Sequence, residues 1–174
     1  QSCSTMKEAW HDTKNWNRFF DDQRLWLRRH RFVADNNFYH GHAFLDYYAK
    51  YKKTNPDIYG WIQVDGTNIS YPCVKGNDNN FYLDHTVTKE YNANGAIFGD
   101  SKCQDVVLDN ANLVFYGHNS IYPGQMFHEL TKFLDKSFFD NNRYVTIYTL
   151  DGVYRYEIFS FYETYSSYRY SQVS

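Results

Sequence analysis

Between Gly60 and Val74 the chain alternates apolar and polar residues, and the run is split by Asp65-Gly66. A period of two puts alternate side chains on opposite faces of an extended strand, and Asp-Gly between two such runs is a strong hairpin signal. Gly60-Trp61-Ile62-Gln63-Val64 and Ile69-Ser70-Tyr71-Pro72-Cys73-Val74 are therefore expected to pair. A second, longer hairpin is expected from Tyr144 to Leu150, a turn at Asp151-Gly152, and Val153 to Tyr162. Ala96-Ile97-Phe98 and Asn112 to Gly117 read as short apolar strands, and Lys75 to Asn80 as a polar loop. The count is about six strands with helices added, which fits a small β-barrel of mixed connections better than a sandwich or a doubly wound sheet. Left with open edges, such a barrel needs something to cover them; further strands are expected beyond the last of these.

Helical spacing governs the first 53 residues, which are expected to form an N-terminal helical layer on a barrel spanning 54–174, the whole being a single domain. From Ala43 to Lys53, Phe44, Leu45, Tyr48 and Tyr51 recur at helical spacing, and Asn55-Pro56 stops the run. Gln1 to His30 carries a broken helical pattern and is also expected to be helical. A further helix is expected from Gln125 to Leu134, with Met126, Phe127, Leu130, Phe133 and Leu134 on one face. Eighteen Tyr and fourteen Phe make the interior aromatic.

Eighteen basic and twenty acidic side chains give a net charge of -2, so no field that would attract nucleic acid is implied. Three cysteines, Cys3, Cys73 and Cys103, are too few and too irregularly spaced for a disulfide framework, and no C-x-x-C pair suggests zinc. No window approaches the length of apolar chain that a membrane helix needs, and the first residues lack a secretion signal's pattern. Any anchor or signal is expected to lie outside these residues.

One segment has the look of a site. In Leu113-Val114-Phe115-Tyr116-Gly117-His118-Asn119-Ser120 an apolar strand delivers a histidine to its end, where it could work as acid or base near neutral pH. From the local pattern alone, a solvent-facing loop residue is the commoner reading of such a histidine.

The order of motifs from Asn55 to about Phe161 resembles the sortase family, and its class B branch in particular. The resemblance is carried by Asn55-Pro56-Asp57-Ile58-Tyr59-Gly60-Trp61-Ile62, Ile69-Ser70-Tyr71-Pro72-Cys73-Val74 and Asn80-Phe81-Tyr82-Leu83-Asp84-His85. It continues through Gly95-Ala96-Ile97-Phe98-Gly99-Asp100, Tyr116-Gly117-His118-Asn119 and Gly124-Gln125-Met126-Phe127. It implies a sortase-like β-barrel, of whose eight strands about six are present, with N-terminal helices. It also implies a cysteine transpeptidase that cleaves a sorting signal at a Thr–Gly bond and joins the protein to a cell-wall or pilin amine. A Cys, a His and an Arg do that work in the family, and its histidine matches His118. No cofactor and no metal are implied. The partners implied are surface proteins bearing a sorting signal, an amine of peptidoglycan or a pilin, and a membrane reached through an anchor, which places the protein on the outer face of a Gram-positive cell. The family's Cys sits in a Thr-Leu-x-Thr-Cys-like strand with the Arg beyond it, and no Thr-x-Thr-Cys motif occurs here. Neither residue carries over to any position, so the chain as it stands is expected to be inactive; a non-catalytic peptide-binding relative is the alternative.

Other candidates read as structural. Cys73 is expected to be a small buried hydrophobe, Cys103 a surface thiol beside Lys102, and Cys3 carries no reading. His40-Gly41-His42 is expected to be a polar turn before a helix rather than half a metal site, His85 a structural hydrogen bonder, and His128 solvated. Arg143, Arg155 and Arg169 are expected to be surface charges, and Arg28, Arg29 and Arg31 a solvated helix face.

Overall fold

The structure, a computed structural model, describes residues 23–29, 38–103, 113–120, 125–150 and 152–163. Their strands are β1 (Gln23–Arg29), β2 (Ile58–Val64), β3 (Ser70–Val74), β4 (Ile97–Gly99), β5 (Phe115–Tyr116), β6 (Tyr144–Tyr148) and β7 (Val153–Glu163). They form one seven-stranded sheet in the order β1-β7-β6-β2-β3-β4-β5. Helices α1 (Phe38–Tyr51) and α2 (Lys136–Asn141) and 3-10 turns at Phe81–Leu83 and His128–Leu134 complete it. The mainly β fold with added helices expected from the sequence is the fold that forms.

Alternation decides which side of the sheet is dry. Along β2, Ile58, Ile62 and Val64 are buried while Tyr59, Trp61 and Gln63 are only half-buried. Across the hairpins, Val145, Ile147, Tyr154, Tyr156 and Ile158 extend the buried face, and Leu130 and Phe133 cover it. A second cluster of Ile58, Val74, Tyr82, Ala96, Phe98 and Tyr116 lies toward β4 and β5, with Tyr47, Tyr48 and Tyr51 of α1 packed against it. The Tyr47 ring also meets Trp61 edge-on at 5.3 Å.

Three expectations need correction. Gln23–Arg29 is not helical: it is a strand whose backbone pairs antiparallel with β7 through a bulge at Trp26/Leu27. Its Arg24, Trp26 and Arg28 alternate with Leu25 and Leu27, a period-two pattern that the neighbouring helical spacing hides. Arg28 and Arg29 therefore sit on a strand and not on a helix face, and β1 covers the edge of β7. His40 and His42 lie within α1 and not in a turn before it. The segment expected as a helix to Leu134 is instead a 3-10 turn, in which three residues complete a turn. Phe127, Leu130 and Phe133 then share a face, and Leu134, one step round, is 55% exposed. The short helix α2 follows, capped by the Asp135 side chain, which accepts from the Phe138 N–H.

β3 and β4 run parallel, Cys73 beside Ile97. The crossover between them is tied down by a buried polar cluster. Asn55 donates from Nδ2 to the Tyr82 hydroxyl at 2.9 Å and to the Val87 carbonyl at 2.8 Å, and the hydroxyl donates to Asp57 Oδ2 at 2.7 Å. Lys89 pairs with the same carboxylate at 3.0 Å. Burial pushes the Asp57 carboxyl up, but the hydrogen bonds from Tyr82 and Lys89, with the charges of Lys89 and Lys52, outweigh it and hold the group below the usual range.

A depressed carboxylate stabilises the fold above its unfolded value of about 3.9, and that contribution is lost as pH falls through the lower folded value. Asp57→Asn is expected to flatten the acid limb of the stability profile; urea midpoints for both proteins at neutral pH and at about pH 3 would check it.

Candidate active site

His118 follows β5, the two-residue strand at one edge of the sheet. β5 pairs with β4 through Phe98 opposite Tyr116, whose rings stack at 5.0 Å. The Tyr116 hydroxyl donates to Asp100 Oδ2 at 2.6 Å, and the same oxygen accepts from Asn79 Nδ2 at 3.0 Å. Asp100 is buried, and its Oδ1 accepts from the Lys102 N–H at 2.8 Å. The strand end that carries the histidine is thus anchored by a satisfied buried carboxylate.

Beyond it the backbone has no room for a side chain. A Cβ at Gly117 would lie 2.3 Å from Ile97 Cδ1 and 2.8 Å from Phe127 Cδ2. The Phe127 N–H donates to the His118 carbonyl at 2.9 Å, and Asn119 bridges to Met126, so the segment at 125–127 closes back on the histidine. His128 is half-buried, and its Nδ1 lies 2.7 Å from Asn119 Oδ1. It is only partly solvated, because this return stroke folds it against its neighbour.

The imidazole itself meets the crossover. His118 Nε2 lies 2.7 Å from the Leu83 carbonyl oxygen. A carbonyl only accepts, so Nε2 carries the proton in this arrangement. Leu83 ends the Phe81–Leu83 turn, which Asp78 caps by accepting at Oδ1 from the Asn80 and Phe81 N–H groups at 2.8 and 2.9 Å. Those two bonds hold the Asp78 carboxyl below its ordinary value. Gly95 lies directly behind, at φ +57, where a Cβ would come within 2.3 Å of the Tyr82 carbonyl oxygen and 2.5 Å of the Leu83 carbonyl oxygen.

Cys73 is fully buried, and burial pushes its thiol far up, opposed only by a weaker backbone hydrogen bond at Ile62; this is the apolar role expected of it. Cys103 is buried too, not a surface thiol, because the turn from Asp100, closed by the Cys103 N–H to the Asp100 carbonyl at 3.0 Å, folds it inward. Arg143 is not a simple surface charge: it pairs with Glu157 at 2.8 Å and lies over the Phe139 ring at 5.1 Å. Arg155 is exposed, over Tyr144 at 3.9 Å and 3.5 Å from Asp65. In the sheet, β2, β3 and β4 separate β6 from β5. His85 is a hydrogen bonder, as expected, through Asp84 and the Phe81 carbonyl. Among the described residues no group of His, Cys, Asp and Glu could hold a metal ion. Cys3, Arg31 and Arg169 lie outside the described residues.

Sequence reasoning passed over several residues that shape this site. Asp100 and Gly95 stood within quoted motifs without a role. Glu129, whose carboxylate accepts from Asn68 N and Nδ2 at 3.1 and 2.7 Å and fastens the 3-10 turn to the β2–β3 loop, carried no signal at all.

Gly95→Ala is expected to cost about 2 kcal/mol or more, since it meets both a left-handed backbone and a backbone oxygen. It should also displace the Leu83 carbonyl; a lower urea midpoint together with a shifted His118 imidazole resonance by NMR would check both.

No family model matches the chain. Over 119 residues, 68% of its length, it is 36% identical to the sortase B of Listeria monocytogenes, of which it covers 48%. Its fold is similar to that of a mutant form of Clostridium perfringens sortase B, with a TM-score of 0.63 and 40% identity over 70% of this chain and 56% of that one. A Staphylococcus aureus sortase B–substrate complex matches with a TM-score of 0.61 and 30% identity over 67% and 53%. The chain spans about half the length of these relatives. With a half-barrel sheet of the same kind and 36% identity over 68% of its length, the chain belongs to the class B sortases.

Proposed function

We propose that the whole protein is a cysteine transpeptidase that cleaves a surface protein's sorting signal at a Thr–Gly bond and transfers the acyl group to an amine of peptidoglycan or a pilin. The observation that carries this reading is the placement of His118 at the end of an edge strand with its Nε2–H held by a fixed backbone carbonyl. A histidine in that position can give a proton to the departing amine and take one from the incoming amine. In this reading the attacking thiol is neither Cys73 nor Cys103, since both are buried and a nucleophilic thiol must reach its substrate. An arginine that steadies the developing oxyanion is the third part. It is not Arg143, which Glu157 and Phe139 already occupy.

Family membership supports a site of action at the outer face of a Gram-positive membrane, with sorting-signal-bearing surface proteins as substrates. One of the matched structures is itself a sortase B–substrate complex.

The test is cleavage of a fluorogenic sorting-signal peptide by the full-length protein. His118→Ala is expected to lower the rate by at least about a hundredfold, the contribution typical of a positioned acid–base group. Absence of cleavage by the unaltered full-length protein would sink the transpeptidase reading and leave a peptide-binding relative.

A further inference from the structure

A second histidine stands beside the segment that holds His118. His85 Nδ1 lies 2.7 Å from Asp84 Oδ1 and 3.0 Å from the Phe81 carbonyl oxygen. Both partners accept, so Nδ1 carries the proton and Nε2 presents its lone pair. The ring is held further by stacking on Phe81, centroids 4.2 Å apart and planes 15° apart, and it meets the Tyr91 ring edge-on at 6.1 Å. Among the described residues Nε2 has no recorded partner, and the side chain is 28% exposed. A carboxylate on Nδ1–H with a free Nε2 is the arrangement that makes histidine a proton acceptor, because it fixes both tautomer and ring orientation.

Its place in the chain is the second observation. The residue two before His85 is Leu83, whose carbonyl accepts from His118. The Phe81–Leu83 turn therefore carries both imidazoles, one through its last carbonyl and one just beyond its end.

This arrangement matters for the second half of a transpeptidation. A primary amine with a pKa near that of lysine, about 10.4, is almost wholly ammonium at neutral pH. To become an amide nitrogen it must lose two protons, one before it attacks and one from the tetrahedral adduct. A single histidine cannot take both in one turnover without discharging the first.

Resting on the transpeptidase reading above, we propose that the Asp84–His85 pair is a second general base that receives the acceptor amine. The ammonium gives its proton to His85 Nε2, and the freed amine attacks the carbonyl carbon of the cysteine thioester. A C–N bond forms, the adduct nitrogen gives its second proton to His118, and the C–S bond breaks with its electron pair leaving on sulfur as thiolate. His85 then returns its proton to water.

The test compares two nucleophiles with the full-length protein. A primary alkyl amine needs a base at neutral pH, whereas hydroxylamine is already unprotonated there. His85→Gln is expected to lower transfer to the alkyl amine by about a hundredfold, and Asp84→Asn by about tenfold, while transfer to hydroxylamine stays about unchanged. An equal loss with both nucleophiles would assign His85 a purely structural role and overturn the proposal, as would no loss with either. If the unaltered protein transfers to neither nucleophile, the transpeptidase reading itself fails and this proposal falls with it.

Discussion

The hydroxyl of Tyr82 is the point on which the part of the molecule around His118 hangs. Its ring is buried among Ile58, Val74, Ala96 and Phe98, so the oxygen cannot reach bulk water and must be satisfied inside. Asn55 donates to it and Asp57 accepts from it, which links the end of α1 and the start of β2 to the crossover. The same residue's carbonyl accepts from Ala96 N–H at 3.0 Å, tying the turn to the approach of β4. The next carbonyl along is the acceptor for His118. One buried hydroxyl thereby sets the height of the turn relative to the sheet, and the turn sets the tautomer of the histidine.

The hairpins were legible because their physics is local. Asp65-Gly66 and Asp151-Gly152 are turn signals, and the period-two pattern states which face of β2 is dry. The strand β1 was not read, because its partner β7 lies more than a hundred residues further along and its short period-two pattern is masked by the helical spacing of its neighbours. The 3-10 turn at His128–Leu134 failed for a subtler reason: apolar residues spaced by three and by four coexist there, and only packing chooses between the two periods.

The site divides along similar lines. His118 was visible through its motif, since the Tyr116-Gly117-His118-Asn119 run is a residue-specific pattern. The group that orients it is a backbone carbonyl, which every residue possesses and no sequence pattern advertises. Gly95 is the nearest thing to a trace of that carbonyl, and only the structure explains what its missing side chain makes room for. Asn119 and His128 likewise meet only because the chain doubles back between them.

The parallel pairing of β3 with β4 has a kinetic meaning. Hairpins close by bringing together near neighbours in sequence, and do so early, whereas Cys73 finds Ile97 only after the whole intervening crossover has been reeled in and its loop entropy lost. Each hairpin can therefore form while β4, β5 and the turn at Phe81–Leu83 are still unassembled, but joining the hairpins closes a longer loop still, since Val64 of β2 pairs with Val145 of β6. A chain with its hairpins formed and these long loops still open would hold strands and no oriented His118, so the setting of that imidazole depends on long-range closure and not on the hairpins alone.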